Sequence, residues 1–260
     1  ARITAAELRA MGITQNFAPD ADVNSNPANP VIGVRSYSSD PALAAELTAA
    51  QVRGYQGRFL AKHTVSATAK HFPGHGDTDV DSHHALPIIS HDMKRLTEVE
   101  LYPFKKAFEA GVMGVMVAHL YLPAIDSTRN LATTLSKPLV TGLLKEKMKY
   151  KGLVFTDALN MKGVANYYKP GEVDLKALKA GNDILLFPED VPTALNKIKQ
   201  AIAANELDTV ELYQRVRKVL HAKYWVGLNN YKPVNLTNLN QEMERPLARV
   251  VQEKLYEQAV

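Results

Sequence analysis

Short apolar runs alternate along this chain with amphipathic stretches, and no other feature of the sequence restricts the possible folds as strongly. Each run is rich in Val, Ile, Phe or Leu and is short enough to form a buried strand. The five runs are residues 13–22, 64–72, 111–120, 152–161 and 182–190. Apolar residues at helical spacing mark the stretches between and after them, at 41–61, 93–110, 137–149, 172–180 and 191–204. Strand and helix repeated in this order predict an α/β fold with a parallel sheet.

Polar residues at the ends of these runs favour a (β/α)8 barrel over an open doubly wound sheet. The residues at or just after the C-terminal ends of the predicted strands are Asp22, Lys70, His71, His119 and Asp157. Barrel enzymes carry their chemistry at this end, with several strands contributing, and a complete barrel has eight strands. Five are visible here, so we predict a TIM-type barrel that is incomplete at its N-terminus.

The predicted barrel domain covers residues 1–228. The polar, Asn-rich stretch 227–241 interrupts the helical pattern and is typical of a linker. Residues 229–260 are therefore interpreted as a linker and the start of a following segment. Because the chain begins without Met, inside the helical pattern ARITAAELRAMGI, we expect it to be part of a longer protein with further domains.

The composition excludes several classes of function. The formal net charge of +4 on 260 residues is mild, and no run of Lys and Arg interleaved with aromatic residues indicates a nucleic-acid partner. No apolar run approaches the roughly 18 residues that a membrane span requires. The chain has no cysteine, which removes disulfides, zinc–thiolate sites and thiol nucleophiles.

The segment KHFPGHGDTDVDSHHALP, residues 70–87, holds four of the eight histidines and three aspartates. These side chains offer enough nitrogen and oxygen ligands for a metal-dependent hydrolase, although the spacing fits neither a His-Glu-x-x-His helix nor a calcium loop. The same composition is also typical of a surface loop whose Asp and His side chains form local hydrogen bonds. Both alternatives stay open at this point.

A third interpretation combines this loop with the strand GLVFTDALNM, which ends in Asp157. Glycoside hydrolysis with retention needs a nucleophile below the anomeric carbon and a proton donor beside the leaving oxygen. In Asp81-Ser82-His83 the carboxylate could fix the tautomer and orientation of the imidazole. An imidazole with a pKa near neutrality is suited to donate and accept one proton in each cycle.

The motif KHFPGHG with the following Asp81-Ser82-His83 resembles glycoside hydrolase family 3, in particular the β-N-acetylglucosaminidases of the bacterial, NagZ-like type. FTDALNM and NFAPDADVNSNPANPVIGVRSYSSD resemble the same family, so that the resemblance extends from about residue 8 to residue 228. It implies a retaining enzyme that removes terminal β-linked N-acetylglucosamine (GlcNAc), from peptidoglycan fragments, and that uses no metal and no organic cofactor.

The resemblance also implies roles for individual residues. Asp157 corresponds to the covalent nucleophile, His83 to the acid/base and Asp81 to the partner of that histidine. The residues implied to contact the carbohydrate are Arg35, Lys70 and His71, and Met161 is expected to pack against the sugar. His75 and His84 are expected to support the loop, because one proton donor suffices.

Other expectations follow from the same comparison of motifs. In the family, two further strands precede the Asn-Phe-Ala-Pro segment and supply an Asp and an Arg to the sugar, and this chain starts after them. A GlcNAc phosphorylase of the same family is the nearest alternative, because a neutral imidazole repels phosphate less than a carboxylate does. A sugar-binding fragment without catalysis is another. The absence of cysteine and the larger, envelope-associated relatives favour a bacterial periplasmic or secreted location.

Overall fold

The computed structural model describes residues 1–57, 64–82, 84–243 and 245–259. Within these residues one curled, fully parallel sheet holds five strands in the sequence order β1-β2-β3-β4-β5. The strands are Gln15–Asn16, Ser66–Phe72, Gly114–Val117, Leu153–Ala158 and Ile184–Leu186. The architecture is that of an incomplete TIM-type barrel, which confirms the fold predicted from the alternation of apolar runs.

Helices cross over between the strands and continue after the last of them. The α-helices α1 to α10 are Arg2–Ala10, Pro41–Gln56, Met93–Glu98, Tyr102–Glu109, Lys162–Ala165, Glu172–Ala180, Val191–Ala203, Thr209–Trp225, Leu239–Met243 and Pro246–Ala259. A π-helix spans Pro138–Lys147, and three short 3-10 turns span Gly33–Arg35, Thr133–Leu135 and Leu228–Asn230. None of the described helices is long and apolar enough to cross a membrane.

Four of these helices have an aspartate as their N-cap residue. In α2, α3, α7 and α8 the carboxylate of the preceding Asp accepts a hydrogen bond from a backbone N–H of the first turn, at 2.7 to 3.1 Å. The four capping residues are Asp40, Asp92, Asp190 and Asp208. Such caps satisfy N–H groups that have no partner within the helix, and each contributes about 1 kcal/mol.

The main core lies between the outer face of the sheet and the crossover helices. Val115, Val117 and Val154 point outward from the strands into a buried cluster that α2, α4 and the π-helix complete. At its centre the rings of Phe72 and Phe104 meet edge to face with centroids 5.3 Å apart, and both are fully buried. This packing holds β2 and β3 against the helices and so fixes the ends of these strands.

A smaller cluster fills the inner face of the sheet. Leu153 and Phe155 of β4 pack there with Met116 of β3, and Val219 and Ala222 of α8 cover them. Because successive side chains of a strand point to opposite faces, this register also directs Asp157, two residues after Phe155, to the inner face. The nucleophile candidate therefore lies inside the barrel, at its C-terminal end.

The structure refines the predicted elements. Of the run 13–22 only Gln15–Asn16 forms a regular strand, because Pro19 has no N–H to donate and the chain then turns into the site. Asp20 still forms an isolated parallel bridge with Lys70. The division at residue 228 stays a prediction.

We expect Phe104→Ala to lower the free energy of unfolding by about 3–5 kcal/mol, because it removes a fully buried ring from the main core. Urea-induced unfolding measures the difference. Leu195→Ala on the exposed face of α7 is the control and should stay within about 0.5 kcal/mol of the parent. Equal losses in the two variants would contradict this assignment of the core.

Candidate active site

A cavity of about 260 Å³ opens at the C-terminal end of the sheet. Its polar lining consists of Arg35, Lys70, His71, His75, Ser82 and Asp157. Its apolar lining includes Phe17, Met116, Leu186 and Phe187. Side chains from or beside all five strands thus meet in one place, as the barrel interpretation predicts.

Asp157, near the end of β4, supplies the carboxylate of the cavity lining. Burial acts to raise the pKa of Asp157, but His71, His119, the Ala158 N–H and Lys70 outweigh it, so that the pKa lies below its usual value. The Ala158 N–H donates to Asp157 Oδ1 at 2.8 Å. The Ala158 N–H and the Lys70 ammonium act on this carboxylate at neutral pH as well, where His71 is neutral. The carboxylate is therefore ionised there, as a nucleophile must be.

The fully buried His119 fixes the strand end that carries Asp157. Its Nε2 lies 2.9 Å from the carbonyl oxygen of Ala158, and its Nδ1 lies 2.8 Å from Thr134 Oγ1. The histidine therefore joins the ends of β3 and β4 from behind the cavity. It holds the nucleophile candidate in place without lining the cavity itself.

His71 is oriented by Asp22, whose side chain is completely buried. His71 Nδ1 lies 2.7 Å from Asp22 Oδ2, and the backbone N–H groups of His71 and His75 donate to the same carboxylate. Burial lowers the pKa of His71 to about 4, so the imidazole is neutral with its proton on Nδ1. Its Nε2 is left as an acceptor, 3.4 Å from Arg35 Nη2.

Asp20 holds Arg35 at the rim and was not singled out from the sequence. Asp20 Oδ2 lies 3.3 Å from Arg35 Nη2. Burial, and then the neighbouring Asp22 carboxylate, raise the pKa of Asp20 to about 8. Arg35 opposes this rise only weakly, because its side chain is 39% exposed and its charge is screened by water. The available signal was the i, i+2 spacing of Asp20 and Asp22, which places both on one face of an extended segment.

Lys70 completes the charged lining of the cavity. Burial and the nearby Arg35 lower its pKa, while Asp20, Asp157 and Asp22 act in the opposite direction. Two cationic side chains therefore lie within the same cavity as one ionised carboxylate. Such a lining offers hydrogen-bond donors to hydroxyl or anionic oxygens beside a nucleophile.

The loop that follows β2 is built on His75, which is 1% exposed. His75 contacts Thr78 and Ser82 through its two ring nitrogens, so both nitrogens are engaged within the loop itself. Gly76 lies so close to the β1 loop that a Cβ would meet the carbonyl oxygen of Val23 at 1.7 Å. No other residue fits at this crossing of the two loops.

The structure brings together four of the residues predicted for the site, namely Arg35, Lys70, His71 and Asp157. Asp81 lies in the loop beside the cavity, half-buried, with its Oδ2 3.9 Å from Nε2 of the exposed His84. Met161 is buried at the start of α5 and does not belong to the cavity lining. His83 lies outside the described residues, so its role stays a prediction.

Two clusters among the described residues have the donor types that a metal ion requires. They are Asp20 with Asp22 and His71, and Asp77 with His91 and Glu100. In each cluster an arginine already contacts a carboxylate, Arg35 on Asp20 and Arg95 on Glu100. The alternative of a metal-dependent hydrolase stays untested.

Comparison with known proteins agrees with this geometry. Beta-hexosaminidase A of Pseudoalteromonas piscicida is 37% identical over 222 residues, which are 80% of this chain and 36% of that protein. The structure of a glycoside hydrolase family 3 beta-N-acetylglucosaminidase from Paenibacillus sp. str. FPU-7 superposes with a TM-score of 0.85 at 39% identity, covering 94% of this chain and 47% of that one. A beta-glucoside phosphorylase, BglX, gives a TM-score of 0.85 at 25% identity, with 94% of this chain and 45% of that one covered.

The chain thus spans less than half the length of each of these relatives. The family model described as "Glycosyl hydrolase family 3 N terminal domain" matches residues 1–222, which contain every residue of the cavity. With its strand order, its strand-end carboxylate and this match, the chain belongs to glycoside hydrolase family 3.

Proposed function

We propose that the protein containing this chain is a retaining β-N-acetylglucosaminidase that removes terminal β-linked GlcNAc, with peptidoglycan fragments as the substrate class. The observation that carries the proposal is the ionised carboxylate of Asp157 at the inner C-terminal end of β4, beside Lys70 and His71. Relatives named as beta-hexosaminidases and beta-N-acetylglucosaminidases support the substrate class.

In the first step Asp157 attacks the anomeric carbon, forming a bond from that carbon to a carboxylate oxygen. The bond from the carbon to the leaving oxygen breaks, and this oxygen receives the proton of His83. The product is a glycosyl ester of Asp157 with inverted configuration, as in retaining glycosidases generally. The Ala158 N–H and Lys70 favour the ionised nucleophile before the attack.

In the second step water attacks the same carbon while His83 accepts a proton from it. The ester bond breaks, Asp157 leaves as a carboxylate, and the second inversion restores the original configuration. Asp81 is assigned to orient the imidazole and to stabilise its protonated form, as carboxylates do for catalytic histidines. In support, Asp81 adjoins Ser82, which lines the cavity.

Sugar binding is assigned to three residues of the lining. Arg35 and Lys70 donate hydrogen bonds to hydroxyl groups, and the unprotonated Nε2 of His71 accepts one. Asp22 and Asp20 act through these residues, because they orient His71 and Arg35. Met161 is buried outside the lining of the cavity, so no contact with the sugar is assigned to it.

We expect Asp157→Asn to lower kcat for an aryl β-N-acetylglucosaminide by at least about 10³-fold, because the amide cannot form the glycosyl ester. Turnover is measured with the protein in its natural full length, in the presence of a chelator, beside the matching β-glucoside. Glu98→Gln on the exposed face of α3 is the control and should behave as the parent. Activity that survives in Asp157→Asn, or that depends on added zinc, would contradict the proposal.

A phosphorylase is the second candidate, because BglX, a beta-glucoside phosphorylase, shares the fold and because Arg35 and Lys70 present two cations to the cavity. In that case phosphate would replace water in the second step. We expect GlcNAc to be the product in phosphate and in non-phosphate buffer at equal rates. GlcNAc 1-phosphate, formed faster as phosphate is added, would replace the hydrolase with the phosphorylase.

The pH dependence of stability tests the Asp20 site without any substrate. The pKa of Asp20 is about 8 in the folded protein against its ordinary 3.8, so between these values only the folded state holds the proton. Stability therefore falls as pH rises from about 4 to about 8. We expect the free energy of unfolding of Asp20→Asn to fall less between pH 5 and pH 9 than that of the parent.

Urea-induced unfolding at pH 5, 7 and 9 measures this difference. The exposed Asp79→Asn is the matched control and should follow the profile of the parent. If Asp20→Asn follows it as well, the assigned titration of Asp20 is wrong.

A further inference from the structure

We propose that Asn29, Thr78 and His75 form a buried hydrogen-bonded latch whose last member is Ser82, and that Ser82 is a positioning residue for proton transfer to the leaving group. We refer to these four residues as the Ser82 latch. The inference rests on the proposed function and deepens it, because it assigns a role to buried residues that adjoin Asp81 and His83, the pair assigned to proton transfer.

The latch is a continuous chain of contacts. Asn29 Nδ2 donates to Thr78 Oγ1 at 3.2 Å, Thr78 Oγ1 lies 2.9 Å from His75 Nδ1, and His75 Nε2 lies 3.1 Å from Ser82 Oγ. All four residues are buried, with exposures of 7% or less. Buried polar groups that are fully paired specify one arrangement strongly, because an unpaired one is costly.

Asn29 anchors the latch to the backbone of the loop, because its amide also donates to the carbonyl oxygens of His75 at 2.8 Å and Gly76 at 3.1 Å. Both ring nitrogens of His75 are paired, Nδ1 with the Thr78 hydroxyl and Nε2 with the Ser82 hydroxyl. Because a hydroxyl can donate or accept, either neutral tautomer of His75 satisfies both contacts. Burial lowers the pKa of His75, which favours the neutral ring.

The other end of the latch is tied to the strand of the nucleophile. The carbonyl oxygen of Ser82 accepts a hydrogen bond from the N–H of Gly163 at 3.2 Å, and Gly163 lies in α5, just after β4. A Cβ at Gly163 would lie 2.8 Å from this carbonyl oxygen and 3.1 Å from that of Ala85. The side chain of Ser82 is therefore held by His75, and its backbone is held by Gly163, shortly after the strand that carries Asp157.

The latch reaches the residues assigned to proton transfer through the chain itself. Ser82 stands between Asp81 and His83 in sequence, and the N–H groups of His84 and Ala85 both donate to the carbonyl oxygen of Asp81. Ser82, held by both its side chain and its backbone, thus fixes the chain next to these residues. Because a proton donor must lie within about 3 Å of the oxygen it protonates, a turn released by about 1 Å should slow this transfer by about 10²-fold.

The test is Ser82→Ala in the natural full-length protein, assayed on two aryl β-N-acetylglucosaminides. A phenyl glycoside needs a proton on its leaving oxygen, whereas a 2,4-dinitrophenyl glycoside does not. We expect kcat/KM, which reports steps up to cleavage, to fall about 10²-fold for the phenyl substrate. For the dinitrophenyl substrate it should stay within about threefold, which also shows that the variant is folded.

Variants of Thr78 probe the latch at a residue outside the cavity lining. Thr78→Val keeps the shape of the side chain but removes the hydroxyl that contacts His75, so it should lower kcat/KM for the phenyl glycoside and not for the dinitrophenyl glycoside. Thr78→Ser keeps the hydroxyl and should cleave the phenyl glycoside at the rate of the parent. Ser127→Ala on the exposed segment before the Thr133–Leu135 turn is the control.

Equal losses on both glycosides, or no loss on either, would overturn the latch. Those outcomes leave the proposed function standing, provided that the parent cleaves both substrates and Asp157→Asn cleaves neither. A parent that cleaves neither substrate, or an Asp157→Asn variant that cleaves both, would instead overturn the proposed function and the latch with it.

Discussion

The buried carboxylate of Asp22 is the contact on which the site depends. It accepts hydrogen bonds from the backbone N–H groups of His71 and His75 and from the side-chain N–H of His71. The side chain of Asp22 is not exposed to solvent. A charge in such a place is stable only because several donors converge on it. These donors belong to the end of β2 and to the loop that follows it, while Asp22 belongs to the loop after β1, so one side chain joins the two segments.

The other polar side chains of the site are arranged around this contact. Asp20 and Asp22 hold Arg35 and His71, and these in turn face the cavity with Lys70 and Asp157. Asp157 is the acidic residue of the cavity lining, so it is the acid that a ligand meets. The surrounding groups lower the pKa of Asp157, whereas burial and Asp22 raise the pKa of Asp20 to about 8. Divergent pKa values of this kind are typical of catalytic sites.

The sequence was sufficient for the fold class and for part of the site, for a physical reason. Parallel strands are buried on both faces and therefore read as apolar runs, and their C-terminal ends meet at one edge. This logic singled out Lys70, His71 and Asp157, the family resemblance added Arg35, and the structure brings the four side chains together around one cavity. It could not place Asn29, which contacts the backbone of His75 across 46 positions of the chain, because no local pattern encodes such a contact. The packing of α8 against the cluster that contains Phe155 could not be predicted from the sequence for the same reason.

The close approach of Gly76 to Val23 has a consequence for motion. Where two backbones touch with no room for a single carbon atom, neither can shift without the other. The segment from Lys70 to Gly76 therefore moves as one body with the loop after β1, which leads to Arg35. Two walls of the cavity, one carrying Arg35 and the other Lys70 and His71, thus keep a constant distance from each other because one glycine brings their backbones into contact.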